Sequence, residues 1–152
     1  MKKATIIALF LFISFPSLTT EALCNNTCMQ TQTQNYLDSL VTVFIKGSTV
    51  KDIDALLSQL HDNVKYEHEE YDADFDKTKW RKAFIKQLEL GSFDDTPNTQ
   101  AKILNIIYGK RHAAVEYSYG KTDQAGNWTK GHVKFALFEF TDKKVSLVRE
   151  YW

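Results

Sequence analysis

A histidine on a short polar strand is the residue of this sequence best suited to acid–base chemistry. Residues 64–71 alternate in polarity, which is typical of a short edge strand with one side facing a cavity. Tyr66, His68 and Glu70 then share one face of that strand. An imidazole can serve as a general base near neutral pH, so His68 is a candidate catalytic residue.

We predict no metal and no cofactor. The spacing of His68, His112 and His132 carries no metal-binding signature. The run 72–76 resembles the start of a calcium loop, but Lys77 stands where that loop needs Gly, and Ala83 where it needs a bidentate Glu. Asp76 instead suits the N-cap of a helix. The apolar residues of that helix are Trp80, Phe84 and Leu88, and Gly91 ends it.

The first 22 residues predict a secretory signal peptide. Two lysines precede an apolar run at 6–13, and the small residues Thr20 and Ala22 have cleavage spacing. The run is roughly half of the ~20 residues that a membrane span needs. Bacterial lipidation of Cys24 is an alternative, but the bulky Leu23 stands where lipoprotein signals carry a small residue. We therefore expect cleavage after about Ala22, a secreted or periplasmic protein, and no membrane partner after signal removal.

The two cysteines predict a local disulfide. Cys24 and Cys28 are the only cysteines of the chain, and the three residues between them tolerate a turn. An oxidising compartment favours their pairing.

The charge balance excludes nucleic acid as a partner. Without residues 1–22 the chain loses Lys2, Lys3 and Glu21 and keeps 17 basic and 18 acidic residues. A near-neutral chain of this kind has no basic patch to neutralise phosphates.

Apolar residues at helical spacing predict two further helices. The first covers about 32–46 and ends at Gly47, and the second is capped by Ser48 or Thr49 and ends near 61–63. Their apolar stripes are Leu37, Leu40, Val41 and Phe44, then Ile53, Leu56, Leu57 and Leu60.

Four long β-rich segments follow, at 99–108, 111–119, 128–140 and 144–152, with turn residues at each junction. They predict an antiparallel meander, with the short strand at Tyr66 added. The final segment pairs with its predecessor through a tight hairpin, so we expect it inside the sheet, with its last side chains near a cavity. The order of elements gives an α+β protein with helices on one face of a curved sheet.

This layout resembles the nuclear transport factor 2-like (NTF2-like) superfamily, particularly its SnoaL-like branch. The residues that carry the resemblance are 44–47, 53–57, 60–64, 138–140 and 144–152. It implies an α+β, cone-shaped NTF2-like fold, with three N-terminal helices packed on a curved, mostly antiparallel sheet around a cavity. It also implies a homodimer. We divide the chain into a signal peptide at 1–22, a Cys-containing segment at 23–31 and the NTF2-like domain at 32–152.

Ketosteroid isomerases of this fold use a carboxylate base with a Tyr and a protonated Asp as oxyanion donors. The resemblance places His68 at the base position, Leu40 at the Tyr position and Ala136 at the Asp position. A steroid-type enolisation is not expected, because no donors await the oxyanion.

The same alignment implies the site. The catalytic candidates are His68, Glu116 and Glu150, and the ligand-binding candidates are Tyr66, Trp80, Phe84, His112, Phe138 and Trp152. In this register His112, Ala114, Glu116 and Ser118 face the cavity, and that face is unusually polar. A slip of one residue would instead place Ala113, Val115, Tyr117 and Tyr119 there as an apolar core. Both registers stay open.

Three hypotheses of function follow. The leading one is an exported domain that binds a small, partly apolar molecule in its cone cavity. The second is a lyase, isomerase or hydrolase that uses His68 with Glu116 or Glu150. The third is a non-catalytic dimerisation or interaction module, in which the sheet face with Val115, Tyr117 and Tyr119 makes the contact. Whether the protein is an enzyme is left open.

Overall fold

The computed structural model describes residues 23–93 and 100–152, so the predicted signal peptide lies outside the described residues. The helices are α1 (Asn26–Val43), α2 (Val50–Ser58) and α3 (Lys77–Glu89). The strands are β1 (Lys65–His68), β2 (Ala73–Asp76), β3 (Gln100–Tyr108), β4 (His112–Thr122), β5 (Trp128–Thr141) and β6 (Lys144–Glu150). Within the described ranges, no helix combines the length and apolarity needed to cross a membrane.

Side-chain caps set where each helix begins. The Asn25 carboxamide oxygen accepts a hydrogen bond from the Cys28 backbone N–H, so α1 begins at Asn26 rather than near Gln32. Thr49 and Asp52 form the capping box of α2. The predicted cap of α3 is confirmed, since the Asp76 carboxylate accepts from the Lys79 backbone N–H at 2.7 Å.

The six strands form one sheet in the order β2-β1-β6-β5-β4-β3. The β1–β6 pair is parallel, and all other pairs are antiparallel. The prediction that the final strand lies inside the sheet is confirmed, because β6 lies between β1 and β5. Two details differ from the prediction: β2 was not expected, and it covers β1, which is therefore not an edge strand.

The three helices pack on one face of this curved sheet, here called the inner face. Along β4, Ala113, Val115 and Tyr117 are fully buried against the helices, whereas His112 and Glu116 are exposed on the outer face. The second of the two predicted registers is therefore the one adopted. The patch of Val115, Tyr117 and Tyr119 expected outside belongs to the inner face.

Bulges interrupt the pairing of the long strands at two places. The pairing shifts between Ser118 and Gly120 on β4 and between Glu139 and Phe140 on β5. In both places the extra residue lies on the partner strand, β5 or β6, so the alternation of faces along β4 is unbroken. Gly120 is required at the first bulge, because a Cβ there would lie 2.4 Å from the Thr129 carbonyl oxygen and 2.5 Å from the Trp128 ring.

The predicted disulfide is confirmed. Cys24 and Cys28 are joined at the start of α1, and Cys24 is 6% exposed and belongs to the core. The bridge thus ties the segment that precedes α1 to the domain.

Candidate functional site

A cavity of about 620 Å³ lies between α1, α3 and the inner face of the sheet. Its wall is mostly aromatic and contains two acidic residues. The lining residues are Tyr36, Leu40, Phe44, Tyr66, His68, Tyr71, Asp72, Ala73, Phe75, Trp80, Ala83, Phe84, Gln87, Tyr119, Glu150 and Trp152.

The helical side of the cavity wall is formed by residues that recur at helical spacing. Tyr36, Leu40 and Phe44 follow one another every four residues, so they form a column on the side of α1 that faces the sheet. Trp80 and Phe84 form a matching column on α3. The two columns meet, since the Phe44 and Phe84 rings lie 5.9 Å apart.

Glu150 is the polar centre of the floor and is 3% exposed. Its Oε2 accepts a hydrogen bond from the Tyr66 hydroxyl at 2.7 Å, and its Oε1 accepts one from the Tyr117 hydroxyl at 2.5 Å. The three residues come from β1, β4 and β6. The carboxylate is therefore held on both oxygens by uncharged donors.

The tyrosines around Glu150 keep their protons. Burial raises the pKa of Tyr66, Tyr117 and Tyr119 well above the usual value, and the negative charge of Glu150 raises each further. The pKa of Tyr36 is raised by the same two causes. All four hydroxyls thus stay available as hydrogen-bond donors at physiological pH.

Three residues of the cavity wall have polar groups without a hydrogen-bond partner in the part of the protein that the structure describes. These groups are the Tyr36 hydroxyl, both ring nitrogens of His68 and the indole Nε1 of Trp152. Tyr36 is 1% exposed and His68 is 2% exposed. The His68 ring packs 4.4 Å from the Tyr71 ring and 4.6 Å from the Trp152 ring, measured between centroids. A buried polar group without a partner costs about 1–3 kcal/mol, which a ligand could recover.

A lysine lies beside the mouth of the cavity. The Lys134 Nζ is 2.7 Å from the centroid of the Trp152 ring and 6.0 Å from that of Tyr119. Desolvation lowers the pKa of Lys134 to about 8, against the opposing attraction of Glu150. This ammonium thus loses its proton more easily than an ordinary lysine does.

The structure brings together most of the predicted site residues. His68 and Glu150 line the cavity, as do Tyr66, Trp80, Phe84 and Trp152. Phe138 is fully buried instead and packs under Tyr36, with ring centroids 5.6 Å apart. The catalytic or binding role of these residues stays a prediction.

Two predicted residues lie on the other side of the sheet. Glu116 is exposed on the outer face. His112 is also there, with its Nε2 3.1 Å from Glu139 Oε1. The sheet separates Glu116 from His68, so the pairing of these two side chains in catalysis has no support in this geometry. The cause is the β4 register described above.

Sequence reasoning missed four tyrosines of the site, which are Tyr36, Tyr71, Tyr117 and Tyr119. The site predictions assumed that Glu116 faces the cavity, and this assumption places Tyr117 and Tyr119 on the opposite face of β4. Tyr36 could have been found from its spacing of four with Leu40 and of eight with Phe44. Among the described residues, no group of three or more His, Cys, Asp or Glu side chains is placed to hold a metal ion.

Comparison with known proteins identifies the fold. No protein-family model matches the chain, and no curated protein matches it in sequence. A SnoaL-like protein of unknown function from Burkholderia thailandensis E264 is similar in structure, with a TM-score of 0.52, 14% identity, and coverage of 86% of this chain and 98% of that one. An NTF2-like protein of unknown function from Cytophaga hutchinsonii ATCC 33406 has a TM-score of 0.51 at 12% identity, covering 82% and 96%.

A third similar structure is a protein with a ketosteroid isomerase-like fold from Catenulispora acidiphila DSM 44928, solved in complex with trimethylamine. Its TM-score is 0.50 at 9% identity, and the match covers 77% of this chain and 84% of that one. Identities this low show the fold alone. The chain therefore has the NTF2-like fold, and the resemblance seen in the sequence is confirmed at that level.

Proposed function

We propose that the protein binds a small, partly apolar molecule in its cone cavity. The observation that carries the proposal is the presence of unpartnered polar groups on Tyr36, His68 and Trp152 in a mostly aromatic cavity wall. Ligand sites are typically apolar clefts with a few polar groups that fix orientation. A ligand with an apolar body and one hydrogen-bonding end satisfies both features.

A neutral fluorescent probe tests whether the cavity takes a ligand. N-phenyl-1-naphthylamine should bind to the protein and gain fluorescence. Ala83→Trp fills the cavity from α3 and should abolish most of the signal. Ala55→Trp is the matched control, because Ala55 lies exposed on α2 outside the cavity. Equal binding by the Ala83→Trp variant and the wild type would place the probe elsewhere and contradict the proposal.

A second candidate function is acid–base catalysis of the lyase, isomerase or hydrolase type. It is favoured by the register of the parallel β1–β6 ladder, which places His68 opposite Glu150, and both residues line the cavity. An imidazole whose nitrogens make no hydrogen bond within the described residues can take a proton from a bound substrate.

Mass spectrometry of a metabolite mixture before and after incubation tests this candidate. Any conversion by the wild type should be lost with His68→Gln and kept with His132→Gln, since His132 is exposed on β5. Conversion that survives His68→Gln would sink the assignment.

We also propose that the outer face of the sheet pairs two copies of the chain. Ile107 is 67% exposed, Val133 49% and Phe135 41%. Charged groups of both signs surround these side chains, including Glu116 and Arg149, and such a surface can match a second copy of itself. Sedimentation should give a dimer that Phe135→Glu disrupts and Val50→Glu, on α2, does not. A wild-type monomer at micromolar concentration would count against it.

Export is proposed from the sequence pattern of residues 1–22 and is supported by the disulfide, which persists in oxidising compartments. Mass spectrometry of the protein recovered from cells should find an N-terminus near Leu23. An intact N-terminus would contradict export by cleavage.

A further inference from the structure

We propose that the ligand of the cavity is an organic cation of the alkylammonium type. This inference rests on the proposed small-molecule function and names its ligand class. Three observations carry it: the aromatic composition of the wall, the sign of the charges that line it, and the partners of Glu150.

The aromatic wall of the cavity is suited to an organic cation. Nine of the sixteen lining residues are Phe, Tyr or Trp. The faces of such rings carry partial negative charge, which attracts cations, and aromatic cages are a common means of holding quaternary ammonium groups. The rings come from helices and strands alike, so they surround the cavity rather than cover one side.

The charges that line the cavity have one sign. Asp72 and Glu150 are the acidic lining residues, and none of the lysines and arginines within residues 23–93 and 100–152 lines the cavity. An anionic ligand would meet repulsion and no ion-pair partner. A neutral ligand could bond to Tyr36 and His68 but would leave Glu150 as it is.

Glu150 makes no direct ion pair, although it attracts the more distant Lys134 ammonium. In the described part of the chain its two hydrogen-bond partners are neutral tyrosines, and it makes no ion pair within 4.0 Å. Buried charges in proteins are normally paired, because desolvation of a lone charge is costly. A cation in the cavity would supply the missing partner.

Lys134 already places a cationic group against an aromatic ring of the cavity wall. Its Nζ lies over the Trp152 ring, 2.7 Å from the ring centroid. Because Trp152 also lines the cavity, a bound cation near that ring would compete with Lys134. Removal of this lysine should therefore strengthen cation binding.

The test compares two ligands of nearly the same shape. Choline carries a trimethylammonium group, and 3,3-dimethyl-1-butanol carries an uncharged tert-butyl group in its place. By titration calorimetry, choline should bind roughly tenfold more tightly, the size expected of cation–π attraction in a desolvated site. Glu150→Gln should remove this preference, so that the two ligands bind with similar affinity.

If Glu150→Gln fails to fold, the choline affinity of two lysine variants provides the test instead. Lys134→Met should raise choline affinity a few-fold without changing that of the alcohol. Lys102→Met is the matched control, because Lys102 lies 4.9 Å over the ring of Trp128, which is not part of the cavity wall. Unchanged choline affinity in Lys134→Met would contradict competition at Trp152 and count against the proposal.

The remaining outcomes separate the two levels of inference. Equal affinity for choline and the alcohol overturns the cation proposal and leaves the small-molecule function standing. The same holds if neither binds while the naphthylamine probe still enters the cavity. If no probe binds at all, both inferences fail.

Discussion

Charged side chains form ion pairs on the outer face of the sheet, whereas Glu150 on the inner face forms none with the described residues. Adjacent residues of the β1–β6 ladder show this contrast. Glu67 pairs with Arg149 on the outer face, where the two side chains form a salt bridge. One residue further along, His68 pairs with Glu150 on the inner face. Within residues 23–93 and 100–152, the carboxylate there bonds only to neutral hydroxyls and the imidazole has no hydrogen-bond partner.

This difference between the two faces shows that polar groups without a partner lie on the inner face of the sheet. A protein under selection for stability alone would fill or pair the inner groups, as it has done outside. Incomplete polar groups in a cavity are instead available to a ligand. The inner face is therefore less stabilising than it could be, and its unpaired groups are available to a ligand. The following predictions measure this difference in folding stability between the two faces.

The largest effect should come from Tyr117→Phe. This change leaves Glu150 Oε1 without its donor in a buried site, and a lost hydrogen bond to a charged group costs about 1.5–3 kcal/mol. Urea unfolding should show that loss. Tyr108→Phe is the control, because the Tyr108 hydroxyl makes only an exposed 3.3 Å bond to Gln30. If Tyr117→Phe lowers the free energy of unfolding no more than Tyr108→Phe does, the inner face does not differ from the surface in the way proposed.

A smaller effect is expected from the outer pair. Arg149→Met should cost about 1 kcal/mol or less, because partly solvated salt bridges contribute little. A double-mutant cycle with Glu67→Gln isolates the pair energy from other effects. A coupling energy as large as the Tyr117→Phe effect would show that the two faces do not differ.

A pH dependence should follow from Lys134. Its pKa of about 8 means that the amine is charged at pH 7 and mostly neutral at pH 9. Choline affinity should therefore rise a few-fold over this range, since a screened charge interaction is worth up to about 1 kcal/mol. The Lys134→Met variant should show no such rise.

The other titratable groups near this amine are Glu150, Tyr117, Tyr119 and His68, and the variant keeps them all. The difference between the two proteins thus isolates Lys134. Because its folded pKa lies below the ordinary 10.5, folding stability should also rise with pH between those two values. A parallel rise of choline affinity in both proteins would assign the effect to another group.

The smallest effect on stability should come from Tyr36→Phe. The lost hydroxyl has no partner, so the free energy of unfolding should change by less than about 0.5 kcal/mol or increase slightly. Ligand affinity should nevertheless fall for any ligand that bonds to this hydroxyl. A stability loss as large as that of Tyr117→Phe would show that Tyr36 is already satisfied within the protein.

The helices were predictable because their signals are local. Asp76 and the Thr49 cap lie within three residues of the groups they bind. The final strand was also predictable, since a β-rich segment needs a partner and the preceding one was adjacent. The same reasoning correctly placed Glu150 and Trp152 at the cavity.

The β4 register was not predictable, because its cause is not local. Strands β3, β4 and β5 each contain or face a bulge, and alternation of residue types gives the same pattern with either face inside. Glu116 and His112 were misplaced for this reason. Strand β2 was missed because residues 73–76 are polar and are ordered by pairing with β1.

The long-range parallel pairing of β1 with β6 has a consequence for the order of folding. The bond between Tyr66 and Glu150 joins residues 84 positions apart, so the loop between them must close before the cavity floor exists. Pairings of such high contact order form late and slowly. A partly folded chain with α1, α2 and α3 in place but β6 undocked would have an apolar groove without the Glu150 carboxylate. Appearance of ligand binding during refolding would therefore time the final step of assembly.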